Sequence, residues 1–308
     1  MSAIRTENLS KTYRSVLGRK ETAAVRMLSL EVKEGEVFGL LGPNGAGKTS
    51  TIHLLLNLIR PSSGAAYLFD RPVTDTDVHR RLGYLPESVN LLDYYRGEAL
   101  LDFYAALCGV DAAARRARVA ELLRLLGLEE AAHKRVSKYS KGMAQRLGFA
   151  QAMVHEPDLL ILDEPTSSLD PLGRNDFREI LLDLKRRGKT VLISSHILSE
   201  VESVCDRVAI LQNGELKRVG TLAELSPAQS TRLIVRELPG AAMESLVATS
   251  AQVTWAEGQV TIRCQDAATR QAVEEVLRRH DVQIVREEAE TASLNDIFLS
   301  TIKQETGS

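Results

Sequence analysis

A glycine-rich turn between a buried strand and a helix is the feature that most constrains the fold of this chain. The run Gly42-Pro43-Asn44-Gly45-Ala46-Gly47-Lys48-Thr49 follows the apolar segment Val37–Leu41, and a helical pattern begins near Gly47. Two glycines flanking four residues, then Lys and a hydroxyl residue, form the phosphate-loop pattern. The alternative is a glycine turn with an accidental lysine, and the flanking strand and helix count against it. The pattern therefore predicts an α/β fold that binds phosphate at one edge of its sheet.

Two carboxylates are predicted to lie at the same edge. The apolar strand Leu159–Leu162 ends in Asp163-Glu164, and parallel strands bring their carboxyl ends together. Lys48 would reach the β- and γ-phosphates, the Thr49 hydroxyl and Asp163 would ligate Mg²⁺, and Glu164 would orient or deprotonate the attacking water. A solvated acidic turn ahead of Pro165 is the alternative, and the phosphate loop disfavours it. The chemistry predicted here is Mg²⁺-assisted hydrolysis at the γ-phosphate of a bound nucleotide.

Composition excludes several other classes of protein. The 308 residues are 44% hydrophobic and 26% charged, as in ordinary globular proteins. With 39 Lys and Arg against 41 Asp and Glu, no basic field favours a nucleic-acid partner. The 3 cysteines, Cys108, Cys205 and Cys264, suit neither a disulfide framework nor a paired metal motif. No apolar run approaches the roughly 18 residues of a membrane span, so we expect any membrane part to come from another chain.

The pattern along the chain predicts two domains. Short strands lead into the phosphate loop, a helical insert covers about 88–152, and the sheet resumes at Leu159–Leu162 and Thr190–Ile193 before a hairpin turned by Asn213-Gly214. We expect the first domain to cover 1–222. After Ser226-Pro227 the predicted order is βαββαβ, with a hairpin around Gly258 and a last strand at Val282–Val285. This order predicts an accessory ferredoxin-like α+β domain over 223–308.

Three further motifs resemble those of ABC-type ATPases over Ile4 to about Leu222. Tyr139-Ser140-Lys141-Gly142-Met143 is similar to the ABC signature, Ser168-Leu169-Asp170 is similar to the D-loop, and His196 after Ser194-Ser195 resembles the switch histidine. Tyr13 resembles the aromatic residue that stacks on adenine, although a strand-end tyrosine packed on the core is the alternative. The resemblance implies a P-loop NTPase with a RecA-like core, an antiparallel β subdomain and a helical insert.

The family resemblance also implies partners and roles. Two ATPase subunits, identical or different, would sandwich ATP and Mg²⁺, so that Ser140, Gly142 and Asp170 of one subunit face the nucleotide bound by Gly42–Ser50 of the other. His196 would hold the γ-phosphate and the attacking water, which makes Lys48, Glu164 and His196 the catalytic set. A separate polytopic membrane permease is implied, with this chain cytoplasmic and peripheral on the inner face of the cell membrane.

The sequence departs from the common family pattern at two motifs. In Gly83-Tyr84-Leu85-Pro86-Glu87, Glu87 stands where most members have glutamine, and its carboxylate can still bind Mg²⁺. Tyr139, Lys141 and Met143 replace the commoner signature residues. These departures, and the ending Ser293–Phe298, are similar to the ABC-2-type exporter branch, which moves drugs, ions, lipids or polysaccharides. A related set serves copper-site maturation and stays open as an alternative.

Two functional hypotheses follow. The first is an exporter motor in which the surface from Glu87 to Leu101 passes nucleotide-driven motion to the permease. The second is a soluble ABC ATPase acting on ribosomes or nucleic acid. This chain has a single cassette and no basic linker, which counts against the second hypothesis. The accessory domain carries no catalytic constellation, so it is either a packing or dimer-stabilising module or a regulatory ligand-binding unit.

Overall fold

A computed structural model describes residues 1–14, 21–225, 230–247, 249, 251–256, 259–264, 267–290 and 294–303. The chain divides into two compact units, Met1–Thr221 and Leu222–Ser308. The Ser226-Pro227 pair, the predicted turn at Gly258 and the tail residue Ser293 lie outside the described residues.

The first unit contains ten of the described strands, numbered in chain order. They are β1 Ser2–Arg14, β2 Glu21–Lys33, β3 Val37–Leu41, β4 Ser63–Leu68, β5 Arg71–Pro72, β6 Leu82–Leu85, β7 Leu159–Asp163, β8 Thr190–Ser195, β9 Arg207–Gln212 and β10 Glu215–Gly220. The helices between them are α1 Lys48–Leu55, α2 Gly97–Leu107, α3 Ala112–Leu125, α4 Lys141–Met153, α5 Pro171–Arg186 and α6 Leu198–Glu202, with short 3-10 turns at Thr76–Arg81, Glu129–Ala131 and Val136–Lys138.

A six-stranded sheet in the order β10-β9-β3-β8-β7-β6 forms the centre of this unit. Strands β9, β3, β8, β7 and β6 are parallel, and β10 closes the edge as an antiparallel hairpin with β9. All five residues of β3 and of β7 are buried, as expected for parallel strands covered on both faces. The carboxyl ends of β3, β8, β7 and β6 therefore meet along one edge, where the loops that follow them carry the predicted site.

An antiparallel sheet and a helical insert flank this centre. The antiparallel sheet has the order β2-β1-β4-β5 and shares an apolar core with β3 and α1 that includes Ile4, Leu28 and Phe38. The insert is made of α2 and α3, with α4 leading back to β7. Tyr139, just before α4, donates a hydrogen bond to the Ala131 carbonyl at 2.8 Å, and a Cβ atom at Gly97 would lie 2.1 Å from the Tyr139 hydroxyl. The start of α2 and the start of α4 are thus packed directly together.

The second unit begins with the short helix α7 Leu222–Leu225 and then has the predicted βαββαβ order. Its elements are β11 Ser230–Val235, α8 Gly240–Val247, β12 Gln252–Ala256, β13 Gln259–Cys264, α9 Ala267–Arg279, β14 Ile284–Glu290 and α10 Leu294–Lys303. The sheet is antiparallel with the order β12-β13-β11-β14. Leu233 and Ile262 of the sheet, with Val273 of α9 and Leu246 of α8, form a separate apolar core.

Several elements differ from the sequence prediction. The last strand, β14, runs from Ile284 to Glu290, whereas the sequence predicted a strand from Val282 to Val285. The prediction missed this range because five residues of β14 are charged or small and give little apolar periodicity. Strands β4 and β6 were not predicted. Both are short and contain glycine, and their strand form depends on pairing with β1 and β7.

Candidate active site

The phosphate loop joins the buried strand β3 to α1, as its sequence predicts. Gly45 and Gly47 adopt the left-handed region, with φ of 82° and 104°, which a side chain disfavours. A Cβ atom at Gly47 would lie 2.3 Å from the carbonyl oxygen of Ala24, so glycine is also needed for close approach of the β2 backbone. The loop thereby opens its N–H groups and the N-terminus of α1 toward a cavity, which is the arrangement that binds anions.

Lys48 is the first residue of α1 and is buried, with 6% of its surface exposed. Its Nζ donates to the Gly42 carbonyl at 2.7 Å and lies 3.2 Å from Oε1 of Glu164. A buried ammonium is costly unless it is paired and hydrogen-bonded. Lys48 is therefore held at the loop with its charge compensated by Glu164.

Glu164 joins Lys48 to His196. It follows β7, is buried, and has a φ of 46°, an uncommon backbone conformation for a residue with a side chain. Its N–H donates to the Ser194 hydroxyl at 2.9 Å, and its Oε2 lies 2.7 Å from Nδ1 of the half-exposed His196. Both oxygens of the carboxylate are thus oriented, one by a lysine and one by a histidine, on the side that opens to the cavity.

Asp163 lies deeper than Glu164. It is the last residue of β7, has 1% of its surface exposed, and accepts a hydrogen bond of 2.5 Å from the Ser194 hydroxyl. Burial raises the pKa of Tyr84 to about 12, and the negative charge of Asp163 adds to this effect. The two consecutive carboxylates therefore occupy different places: Asp163 lies inside the sheet edge, and Glu164 lies at the cavity.

A cavity of about 950 Å³ lies in front of these groups. Residues Pro43–Ser50 line it together with Glu87, Glu164 and His196, so it brings together most of the predicted site. Its wall also contains residues for which the sequence predicted no role: Glu21, Thr22, Ala23, Ala24, Arg26 and Asn213. No local motif marks them, because they reach the cavity through contacts among β2, the phosphate loop and the β9–β10 turn, which are distant in the sequence.

The remaining predicted nucleotide contacts lie outside the cavity wall. Tyr13 is 42% exposed, and its hydroxyl is 3.5 Å from Oγ of Ser50 at the start of α1. Ser140 caps α4 by accepting from the Met143 N–H at 3.2 Å, and Asp170 caps α5 by accepting from the Gly173 N–H at 2.8 Å. A Cβ atom at Gly142 would lie 3.6 Å from the Ser168 carbonyl oxygen, which places the predicted signature beside the predicted D-loop.

The oxygen atoms of the side chains at the cavity could bind a hard cation such as Mg²⁺ only together with the oxygen atoms of phosphate and water. Among the described residues, no group of three or more His, Cys, Asp or Glu side chains is arranged to hold a metal ion. Thr49 and Glu87 line the cavity with oxygen donors, and Asp163 lies behind it. Hydroxyl and carboxylate oxygens are ligands that Mg²⁺ accepts, and this ion commonly completes its shell with phosphate and water.

Comparison with known proteins identifies the family. Residues 25–167 match the family model described as ABC transporter. An uncharacterized ABC transporter ATP-binding protein of Bacillus subtilis, YxlF, is 38% identical over 300 residues, covering 96% of this chain and 98% of that protein. A fluoroquinolones export ATP-binding protein of Mycobacterium tuberculosis is 36% identical, covering 90% of this chain and 86% of that protein. The chain belongs to the ABC transporter ATP-binding proteins.

Solved structures agree with this assignment. The ATP-binding subunit of an ABC transporter matches with a TM-score of 0.66 and 32% identity, covering 72% of this chain and 91% of that one. A dimeric post-hydrolysis ATP-binding cassette bound to ADP and phosphate has a TM-score of 0.65 at 24% identity, covers 71% of this chain and 98% of that one, and supports the fold alone. The predicted family and fold class are confirmed, and the first unit is an ABC ATPase domain.

None of the helices in the described part of the chain combines the length and apolar character needed to cross a membrane.

Proposed function

We propose that this protein is the ATP-hydrolysing subunit that powers an ABC-2-type membrane exporter. The observation that carries the proposal is the buried Glu164 carboxylate, oriented by Lys48 at 3.2 Å and His196 at 2.7 Å at the mouth of the phosphate-loop cavity. Relatives named for fluoroquinolones export and bacitracin transport support the exporter assignment. The transported substrate of this chain does not follow from those names.

The site residues divide the chemistry between them. The N–H groups of Gly45–Thr49 and the Lys48 ammonium bind the β- and γ-phosphates. The negative charge of these phosphates then replaces the Glu164 carboxylate as the partner of Lys48. Glu164, released on one oxygen and still held by His196 on the other, accepts a proton from the attacking water. Thr49, Asp163 and Glu87 are the residues that would hold Mg²⁺, which offsets phosphate charge during the transfer.

Two subunits are needed to complete the site. Ser140, Gly142 and Asp170 lie away from the cavity of their own chain, at the exposed starts of α4 and α5. In the proposed dimer, these residues approach the phosphate bound by the partner subunit, where the Ser140 hydroxyl and the N-terminus of α4 add hydrogen-bond donors. Each cavity therefore acquires its full set of donors only after ATP has brought the subunits together.

The surface that follows Glu87 is the proposed contact with the permease. Glu87 lines the cavity, while Tyr94 and Phe103 further along are 64% and 36% exposed. Phe103 stacks on Tyr95, and Tyr94 and Tyr104 extend this cluster through tilted ring contacts. Such an aromatic cluster is enriched at protein interfaces. We place the chain on the inner face of the cell membrane through this contact, with no nucleic acid as partner.

Purification of the tagged Glu164→Gln protein from gently solubilised host membranes tests this proposal. In the presence of ATP and Mg²⁺, we expect a polytopic membrane protein to co-purify, because the ATP-bound dimer is trapped. The Lys48→Ala protein, prepared identically, is the matched control and should bring down less of that protein. Ribosomes or nucleic acid in place of a membrane protein would overturn the exporter assignment.

A further inference from the structure

Among the described residues that line the cavity, one cation, Arg26, forms no ion pair with another lining side chain. Among the residues lining it, Arg26, Lys48 and His196 can carry positive charge. Lys48 and His196 both contact Glu164. The Arg26 side chain, in contrast, forms no ion pair or hydrogen bond within the described part of the chain, although it is exposed at the cavity wall.

Of the acidic groups near Arg26, two are engaged with other cations and the third is the carboxylate proposed to bind Mg²⁺. Glu21, on the same wall, pairs with Arg14 at 2.8 Å. Glu215, close enough to feel the charge of Arg26, is hydrogen-bonded to Lys217 at 2.8 Å. Glu87 lines the cavity with no hydrogen bond or ion pair among the described residues, and it is the carboxylate assigned above to Mg²⁺. The guanidinium is thus available for an anion that enters the cavity.

The backbone around Arg26 fixes its position relative to the phosphate loop. The Arg26 N–H donates to the Gly214 carbonyl at 2.7 Å, and the Gly214 N–H donates to the Ala46 carbonyl at 3.1 Å. A Cβ atom at Gly214 would lie 2.8 Å from the Ala24 carbonyl oxygen, so this approach requires glycine. On the other face of β2, Val25 is buried in the core. Strand β2, the β9–β10 turn and the loop therefore form one connected frame.

We propose that Arg26 is a phosphate-binding residue of the nucleotide site, which recognises the charge of the polyphosphate and not the base. The inference deepens the proposed function and rests on it. Lys48 begins with its charge shared with Glu164, so a second cation increases the attraction of the site for nucleotide before Glu164 is displaced. A guanidinium suits this role, because its planar set of donors matches two phosphate oxygens at once.

The test is calorimetric titration of the full-length Arg26→Gln protein with ADP, AMP and adenosine. We expect the Kd for ADP to rise about tenfold, or about 1.4 kcal/mol, with a smaller change for AMP and none for adenosine. Added salt should weaken ADP binding to the unmodified protein more steeply than to Arg26→Gln, since the variant has lost one attractive charge. Arg26→Lys should recover part of the ADP affinity.

Arg80→Gln is the matched control, because Arg80 is 85% exposed on the same unit and outside the cavity. Its ADP affinity should equal that of the unmodified protein. An Arg26→Gln protein that binds ADP within twofold of normal, while Lys48→Ala loses binding, overturns the role of Arg26 and leaves the proposed function intact. Equal losses for ADP and adenosine also overturn it. If the unmodified protein fails to bind ADP, the proposed function itself is wrong.

Discussion

The carboxyl edge of the parallel sheet and the core of the second unit bury different kinds of groups. At the sheet edge, Lys48, Asp163 and Glu164 are all buried and mutually oriented by hydrogen bonds and an ion pair. Within the described part of the second unit, the buried polar residues are threonines, Thr231 and Thr301, and no buried residue is charged. Burying charge is costly and is concentrated at functional sites. The difference assigns the chemistry to the first unit and favours a packing role for the second.

Replacing Glu164 by glutamine gives the largest effect that we expect from this comparison. Glutamine cannot accept the proton from water, so ATP turnover should fall by about 10²–10⁴-fold. ATP binding should be retained or become tighter, because Lys48 loses a competing carboxylate. Steady-state phosphate release and equilibrium ATP binding measure the two effects separately. Turnover at the normal rate would contradict the assignment of Glu164.

Truncation of one isoleucine in each unit tests whether the two cores differ in function as well as in composition. Ile161 of β7 and Ile262 of β13 are both fully buried in internal strands. Ile→Ala at either site should lower the free energy of unfolding of its unit by about 2–5 kcal/mol. Only Ile161→Ala should weaken ADP binding, since β7 ends in Asp163. Equal weakening by Ile262→Ala would show that the second unit supports the nucleotide site.

Two buried thiols offer a test of the division into units. Cys205 lies in the first unit and Cys264 in the second, both buried, while Cys108 is exposed. Burial raises the pKa of the Cys205 thiol, so this group reacts slowly while the fold is closed. We expect Cys108 to be alkylated in the native protein, and Cys205 and Cys264 to become reactive at different urea concentrations. A common urea midpoint for both buried thiols would contradict independent unfolding.

The smallest expected effect is a pH dependence confined to the first unit. Burial lowers the pKa of His155 below its usual 6.5, against the raising effect of its hydrogen bond to the Leu82 carbonyl, and Arg118 and Lys189 lower it further. Below about pH 6.5 the unfolded chain therefore binds the proton more readily than the folded one, so stability falls as the pH falls. His155→Gln should reduce this loss between pH 7 and pH 5.

Urea unfolding at pH 7, 6 and 5 measures that dependence. Labelling of Cys205 reports on the first unit, and the fluorescence of Trp255, the only tryptophan, reports on the second. An unchanged pH slope in His155→Gln would show that other groups cause the acid sensitivity. A changed slope in the Trp255 signal would show that the two units are coupled.

The parts of the site that the sequence predicted are those set by local pattern. The phosphate loop, Glu164 and His196 each follow a short apolar strand, and parallel pairing of those strands brings them to one edge. Arg26 and its neighbours were not predicted, because their place at the cavity depends on a hydrogen bond to Gly214, which is 188 residues further along the chain. The depth of Asp163 was also not predictable, since Ser194 of the adjacent strand determines it.

The fold shows the same division between local and distant causes. The long buried runs predicted β3, β7 and β8 closely, whereas the glycine-containing strands β4 and β6 depend on their partners. In the second unit, the predicted βαββαβ order includes β11 and β13, whereas the predicted range of the charged strand β14 differs from the observed one. Pairing with β11 keeps β14 in the sheet despite its composition. Roles for Tyr13, Ser140, Gly142 and Asp170 remain predictions that require bound nucleotide and a second subunit.

The contact between Gly97 and Tyr139 has a consequence for how the signature can evolve. The Tyr139 hydroxyl occupies the space that any side chain at position 97 would need. A larger residue at 97 requires either a shorter residue at 139 or a shift of the Tyr139 ring, which would break its hydrogen bond to the Ala131 carbonyl. The two positions are therefore coupled in space, although they lie 42 positions apart in the sequence. In this protein, the absence of a side chain at Gly97 leaves the space that the Tyr139 hydroxyl fills.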